Sequence, residues 1–147
     1  MSEVVRFAKR EDTVRVVNYL NDAGLGTEGV AEAIDYFLIM ENADRKVTAT
    51  IGIEPINKLG LLRSLAISSD LNQEMLLYLF NQALLLATEK SLTNLLLATN
   101  KPESVAFFQT LGFRLINKAD LPQTLMRHSH VQHILGVDNS VFMELAL

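Results

Sequence analysis

The sequence predicts an α/β chain built on a mixed sheet with helices on both faces. Three stretches carry that expectation. Residues 47–54 alternate, with Val47, Ala49, Ile51 and Ile53 on one side and Thr48, Thr50, Gly52 and Glu54 on the other, the period of a strand. Met75–Lys90 holds a wide apolar helical stripe of Met75, Leu76, Leu79, Phe80, Ala83, Leu84 and Ala87, broadened by Leu77 and Leu85. Asn94–Thr99, "NLLLAT", is a continuous apolar run bounded by polar residues, the pattern of a strand buried on both faces.

The remaining elements fall around these three. Val4–Ala8 reads as a first strand. Glu11–Ala23 reads as a helix, with Val14, Val17 and Leu20 in its stripe and Gly24 as its stop. Gly24–Gly29 is a flexible loop, and Val30–Asp35 a short helix. Tyr36–Glu41 is a strand, followed by a turn at Asn42–Arg45. Asn57–Gly60 turns into the strand Leu61–Ile67. A hairpin centred between Lys58 and Leu59 sets Glu54 opposite Arg63. After "NLLLAT", Pro102–Leu111 is a short helix with proline in its first turn and Gly112 beyond its end. Phe113–Asn117 is a strand, Asp120 to roughly His133 a helix, and Val141–Leu145 the last strand.

Composition narrows the class of function. The 147 residues are 49% hydrophobic and 20% charged, which excludes a disordered chain and suits one domain spanning 1–147. A net charge of −4 without a Lys/Arg run argues against nucleic acid as the main partner. No cysteine is present, so thiolate and disulfide chemistry are excluded. Met1–Arg6 lacks the basic start and apolar stretch of a signal peptide, and a cytoplasmic location is expected. Met75–Ala87 is interrupted by Asn81-Gln82 and is shorter than the roughly 20 residues a bilayer span needs, so no membrane association is expected.

"IGIEP…GLLRSLAIS", the long helix after it, and "LLLATNKPESVAFFQTLGF" together resemble the GNAT superfamily of acetyl-CoA-dependent N-acetyltransferases. The most specific piece is S-x-x-F-F-x-x-L-G-F, Ser104 to Phe113. "IGIEP" with "LLRSLAI" is most similar to a bacterial subgroup containing arsenic-resistance-linked acetyltransferases and relatives of N-acetylglutamate synthase. The resemblance implies a mostly antiparallel sheet with a splayed centre. Leu62–Ile67 is then the central strand, whose backbone around Leu65, Ala66 and Ile67 holds the pantetheine arm and polarises the thioester carbonyl. Leu71, Asn72, Gln73, Glu74 and Met75 fall on the pyrophosphate loop. Asn100, Ser104 and Phe107 line the cofactor, and Phe108 stands where many relatives have a tyrosine that protonates the departing thiolate. The implied co-substrate is acetyl-CoA and the implied partner a small-molecule amine.

Two departures accompany the resemblance. The superfamily's Q/R-x-x-G-x-G/A loop has no counterpart, since Ser68–Met75 contains neither glycine nor a basic residue. Phe108 has no O–H to donate. The alternative function is therefore a non-catalytic GNAT-like module acting in binding, regulation or dimerisation.

Each candidate has a competing structural reading. Glu54 is the candidate general base for the substrate ammonium, because only a neutral amine attacks a thioester; the alternative is a cross-strand pair with Arg63. Arg63 would bind a substrate carboxylate with its planar fork. Glu41 and the Gly24–Gly29 loop would border the acceptor pocket. Asp70-Leu71-Asn72-Gln73 has capping-box spacing, which would let the helix satisfy its own first turn. Asp70 and Glu74 place negative charge where a pyrophosphate would sit. His128, His130 and His133 are the only histidines; with no carboxylate or thiol inside the cluster, no metal is expected. The broad stripe of the long helix is core, with a homodimer contact as the alternative.

Overall fold

A computed structural model describes residues 3–69, 71–136 and 139–147, excepting the side chains of Ser129, His130 and His133. Seven strands and five helices follow one another as β1 (Val4–Phe7), α1 (Thr13–Asp22), β2 (Phe37–Glu41), β3 (Val47–Ile56), β4 (Leu59–Ile67), α2 (Gln73–Glu89), β5 (Asn94–Thr99), α3 (Pro102–Thr110), β6 (Arg114–Ile116), α4 (Gln123–Met126), α5 (Ser129–Leu135) and β7 (Val141–Ala146). The sheet order is β1-β2-β3-β4-β5-β7-β6, with β4 and β5 parallel and β1/β2, β2/β3, β5/β7 and β6/β7 antiparallel. This is the mixed, mostly antiparallel sheet that the sequence predicts.

The chain groups into two compact units. The first comprises Met1–Glu54 and Leu62–Lys90. Its core gathers Val16 and Leu20 of α1, Val30, Ile34, Phe37 and Ile39, and Ala66 of β4. The periodicity explains the choice of face: Phe37 pairs with Gly52 and Ile39 with Thr50, so the even residues of β3 share the α1 side of the sheet. Leu38, Met40, Ala49, Ile51 and Ile53 point the other way and are also buried, and α2 packs on β2. The alternation in β3 thus separates a polar face from an apolar one, and protein covers both.

The second unit comprises Pro55–Leu61 and Ser91–Leu147. Leu59–Leu61 pairs with Asn94–Leu96, and β7 runs beside β5 from Asn94/Ala146 to Thr99/Val141. Ile56, Leu61, Leu96, Leu121, Leu125, Val131 and Phe142 form its core. Gly112 ends α3 at φ 103, a left-handed backbone that glycine takes without a Cβ penalty.

Three expectations differ from what forms. Val30–Asp35 is not a helix: Ala33, at φ −118 and ψ 28, breaks the turn, and a single 3-10 turn follows at Ile34–Tyr36. The single helix expected from Asp120 is two short ones, α4 beginning after Pro122 and α5 at Ser129. The hairpin turn is Asn57-Lys58, one residue earlier than expected, with Asn57 left-handed at φ 58.

Gly52 is required sterically. A Cβ there would lie 2.5 Å from Phe37 Cε2 and 2.6 Å from Cζ. The ring is fully buried and cannot swing into solvent. Gly52→Ala should therefore cost about 2 kcal/mol by overpacking, seen as a lower melting temperature. The loss should shrink in a Phe37→Leu background, as two residues competing for one space require; an additive pair of losses would contradict the clash.

Candidate functional site

Strand β4 carries an irregularity at Ser64, which is left-handed at φ 57 inside the strand. Non-glycine residues rarely adopt this conformation, and in a strand it acts as a bulge that resets the alternation of side chains. The neighbours show the reset. The Arg63 guanidinium lies 5.9 Å from the centroid of the Phe37 ring, and Ala66 packs in the same core cluster as Phe37. Residues three apart in a regular strand would point to opposite faces. The Ser64 carbonyl accepts a 2.9 Å hydrogen bond from Thr50 Oγ1, whose residue is fully buried.

Arg63 is held from several sides. Its Nε donates to Ser64 Oγ at 3.0 Å, and its Nη1 lies 3.9 Å from Glu54 Oε1. The Arg63 and Glu54 side chains are only 11% and 22% exposed. The Gly24–Gly29 loop reaches the same place: a Cβ on Gly29, at φ 77, would sit 3.5 Å from Arg63 Nη1. The structure thus brings Glu54, Arg63 and the glycine loop together. The motif alone revealed neither Ser64, Thr50 nor Phe37. One signal was present, because Thr50, Gly52 and Glu54 share one face of the alternation.

Glu41 lies elsewhere on this unit, in a four-charge network. Arg6 meets Glu41 Oε1 through Nε at 2.8 Å and grips both oxygens of Asp12 at 2.8 and 2.9 Å. Arg15 meets Glu41 Oε2 at 2.7 Å and Asp12 at 3.3 Å, and it also donates to the Arg45 carbonyl. The Lys9 amide completes Asp12 at 2.8 Å. Hydrogen bonding to Arg6, against the opposing effect of burial, holds the Asp12 carboxyl at about 2. The same arginine holds Glu41 below its ordinary value.

The expected cofactor segment has its own fastening. Tyr19 Oη donates to the Thr48 carbonyl at 2.8 Å and lies 3.1 Å from Ser68 Oγ, and the Ser68 amide reaches the same carbonyl at 2.9 Å. Ala66 points into the core, Leu65 is half-buried and Ile67 is exposed. Leu71 and Met75 are half-buried; Asn72, Gln73 and Glu74 are exposed. Asn72 caps α2, its Oδ1 accepting from the Met75 amide at 2.8 Å. The expected capping box runs from Asp70 to Gln73; the cap is instead Asn72, with Gln73 as the first residue of α2, and Asp70 lies outside the described residues.

In the second unit, Asn100 is exposed and Ser104 half-buried near the start of α3. Phe108 is buried, edge-on to Phe107 at 5.4 Å and to Phe113 at 5.7 Å, the surroundings of a core side chain. His128 is half-buried, and the side chains of His130 and His133 lie outside the described residues. Among the described residues, no group of three or more His, Cys, Asp or Glu is placed to hold a metal, and no helix is long and apolar enough to cross a membrane.

This arrangement of strands and helices is the fold of the GNAT acetyltransferases. An acetyltransferase of the GNAT family from Staphylococcus aureus superposes with a TM-score of 0.74 over 99% of both chains at 18% identity. Rv2747 from Mycobacterium tuberculosis, solved in complex with CoA, reaches 0.78 at 18% identity, over 98% of this chain and 99% of that one. N-acetylglutamate synthase from Neisseria gonorrhoeae, solved with coenzyme A and N-acetyl-glutamate, reaches 0.79 at 16% identity; this chain is covered completely but spans only 35% of the synthase. In sequence, the chain is 29% identical over 143 residues to the uncharacterized protein YwlB of Bacillus subtilis, covering 97% of this chain and 96% of that protein. No protein-family model matches the chain.

The Asp12 network makes a prediction about acid. Its folded-state carboxyl lies below the usual range, so the stabilisation is complete above about pH 4 and is lost as the pH falls toward about 2. Asp12→Asn should lower stability by about 2 kcal/mol at neutral pH, measured by denaturant melts. The gap between variant and parent should close as the pH drops through that window; a constant gap would place the stabilisation elsewhere.

Proposed function

We propose that the chain is a single-domain N-acetyltransferase that moves the acetyl group of acetyl-CoA to the amine of a small molecule. The observation that carries the reading is the Glu54–Arg63 pair, 3.9 Å apart beside the Gly24–Gly29 loop, in a chain with the GNAT acetyltransferase fold. Glu54 accepts the proton of the substrate ammonium, directly or through water. The freed nitrogen attacks the thioester carbonyl, the C–N bond forms as the C–S bond breaks, the nitrogen gives up its second proton to solvent, and the departing CoA thiolate takes a proton from solvent. Backbone N–H groups of Leu65, Ala66 and Ile67 stabilise the developing oxyanion. Arg63 pairs with a carboxylate of the acceptor, a role that suits its planar fork. The N-acetyl-glutamate held by the gonococcal synthase supports an amino-acid-like acceptor. Glu41, already between two arginines, serves the fold.

One observation favours the second reading, a non-catalytic module. Asn72 occupies the Met75 amide, and Glu74 adds negative charge to the first turn of α2, where a pyrophosphate would be received. Melting with millimolar acetyl-CoA separates the two. A ligand at a hundred times its dissociation constant stabilises the folded chain by about 2.7 kcal/mol, a shift of several degrees. No shift, with no heat on titration of CoA, establishes the module instead.

For the enzyme, Glu54→Gln should lower the acetylation rate about a hundredfold with the melting temperature nearly unchanged. A rate equal to the parent's removes Glu54 as the base.

A further inference from the structure

The polar face of β3 carries Thr50, Gly52 and Glu54 in succession, and each bears on Arg63. Thr50 Oγ1 holds the carbonyl of Ser64 at 2.9 Å. Gly52, lacking a Cβ, leaves room for the Phe37 ring on which Arg63 rests. Glu54 supplies the opposite charge at 3.9 Å. Ser64 is the pivot. Its left-handed φ of 57 shifts the register of β4 so that Arg63 shares a face with Phe37 while Ala66 remains in the core. Its Oγ accepts from Arg63 Nε at 3.0 Å.

We propose that Thr50 is a positioning residue for Arg63, acting through the bulge at Ser64. Serine does not favour the left-handed backbone, so the conformation must be held by its surroundings. The hydrogen bond from a fully buried hydroxyl does this, since the Ser64 carbonyl accepts it at 2.9 Å in the bulged geometry. Without it the strand can relax toward regular alternation, and Arg63 loses its seat over Phe37. The inference rests on the proposed role of Arg63 in binding an acceptor carboxylate.

The test uses the full chain, with Thr50→Val to remove the hydroxyl at constant shape and Thr50→Ser to restore it. Two signals are read: hydrogen exchange of the Arg63 Nε–H by NMR, and binding of glutarate, a carboxylate probe without an amine. In T50V the Arg63 Nε–H should exchange about tenfold faster or more, and glutarate affinity should fall about tenfold, while the Arg6 Nε–H and the acetyl-CoA melting shift stay as in the parent. T50S should recover both. A general loosening of the fold would move all four signals together, and that outcome overturns the proposal, as does an unchanged Arg63 Nε–H in T50V. If the parent binds no glutarate, the carboxylate role of Arg63 fails, and the Nε–H comparison still decides whether Thr50 sets its position. Should T50V not fold, T50A is read in the same way.

Discussion

The left-handed backbone of Ser64, with its carbonyl held by Thr50 at 2.9 Å, couples the core of the first unit to its candidate site. Arg63 and Ala66 both lie on the side of Phe37, and only an extra residue in the alternation allows that. Straightening the strand would force a choice between them. Either Ala66 leaves the apolar cluster, or the guanidinium turns to the opposite face, away from the partners it now has. A serine in this conformation costs on the order of 1 kcal/mol. A buried hydrogen bond returns roughly as much, and leaving that carbonyl unpaired would cost more. The bulge is thus held by the packing on either side of it.

The α1 side of the sheet carries two charge clusters of different character. Around Asp12, both carboxylate oxygens, two guanidinium groups and a backbone amide meet within hydrogen-bonding distance. Bidentate geometry of this kind is strong and directional, and it ties β1, α1 and β2 together. Around Arg63, the carboxylate stands at 3.9 Å, while a neutral hydroxyl and an aromatic face hold the guanidinium in place. The contrast separates Glu41, which the sequence placed at the border of an acceptor pocket, from Glu54, which it made the candidate base.

Much of the fold was legible because burial follows period. "NLLLAT" forms β5 with the expected bounds, and the alternation from Val47 forms β3. The chain departs from expectation where periodicity gives way to backbone detail. Nothing in "LLRSLAI" marks serine as left-handed, because it reads as an ordinary buried strand with two polar interruptions. The hairpin logic set Glu54 directly opposite Arg63; the turn falls one residue earlier, so that register does not form, and the two side chains meet at 3.9 Å from positions that are not directly opposed. The partners of Glu41 were not legible, because Arg6 and Arg15 lie 35 and 26 residues before it in the sequence and only the folded sheet brings them near. Val30–Asp35 fails as a helix at Ala33, whose φ of −118 and ψ of 28 break the turn, a backbone detail that the sequence does not reveal.

The exit of β4 shows how a segment without glycine can be fastened by side chains. Glycine-rich loops let the backbone approach an anion closely, but they lose conformational freedom when they do so. Here the order is provided beforehand by side chains. Tyr19 gives its single proton to the Thr48 carbonyl, so the Ser68 hydroxyl must donate to Tyr19 at 3.1 Å. The Ser68 amide takes the other lone pair of the Thr48 carbonyl, and Leu71 N returns to the Ser68 carbonyl at 3.1 Å. Asn72 then closes the first turn of α2. Both ends of the segment are fastened, which on the proposed reading would lower the ordering cost of binding. The Met75 amide is no longer available to the ligand, and Glu74 adds a charge of the wrong sign for an anion. On the proposed reading, affinity for a pyrophosphate here would be a contest between preorganisation and donor count. The residues that set the balance are Tyr19, Ser68 and Asn72, none of which belongs to a glycine motif.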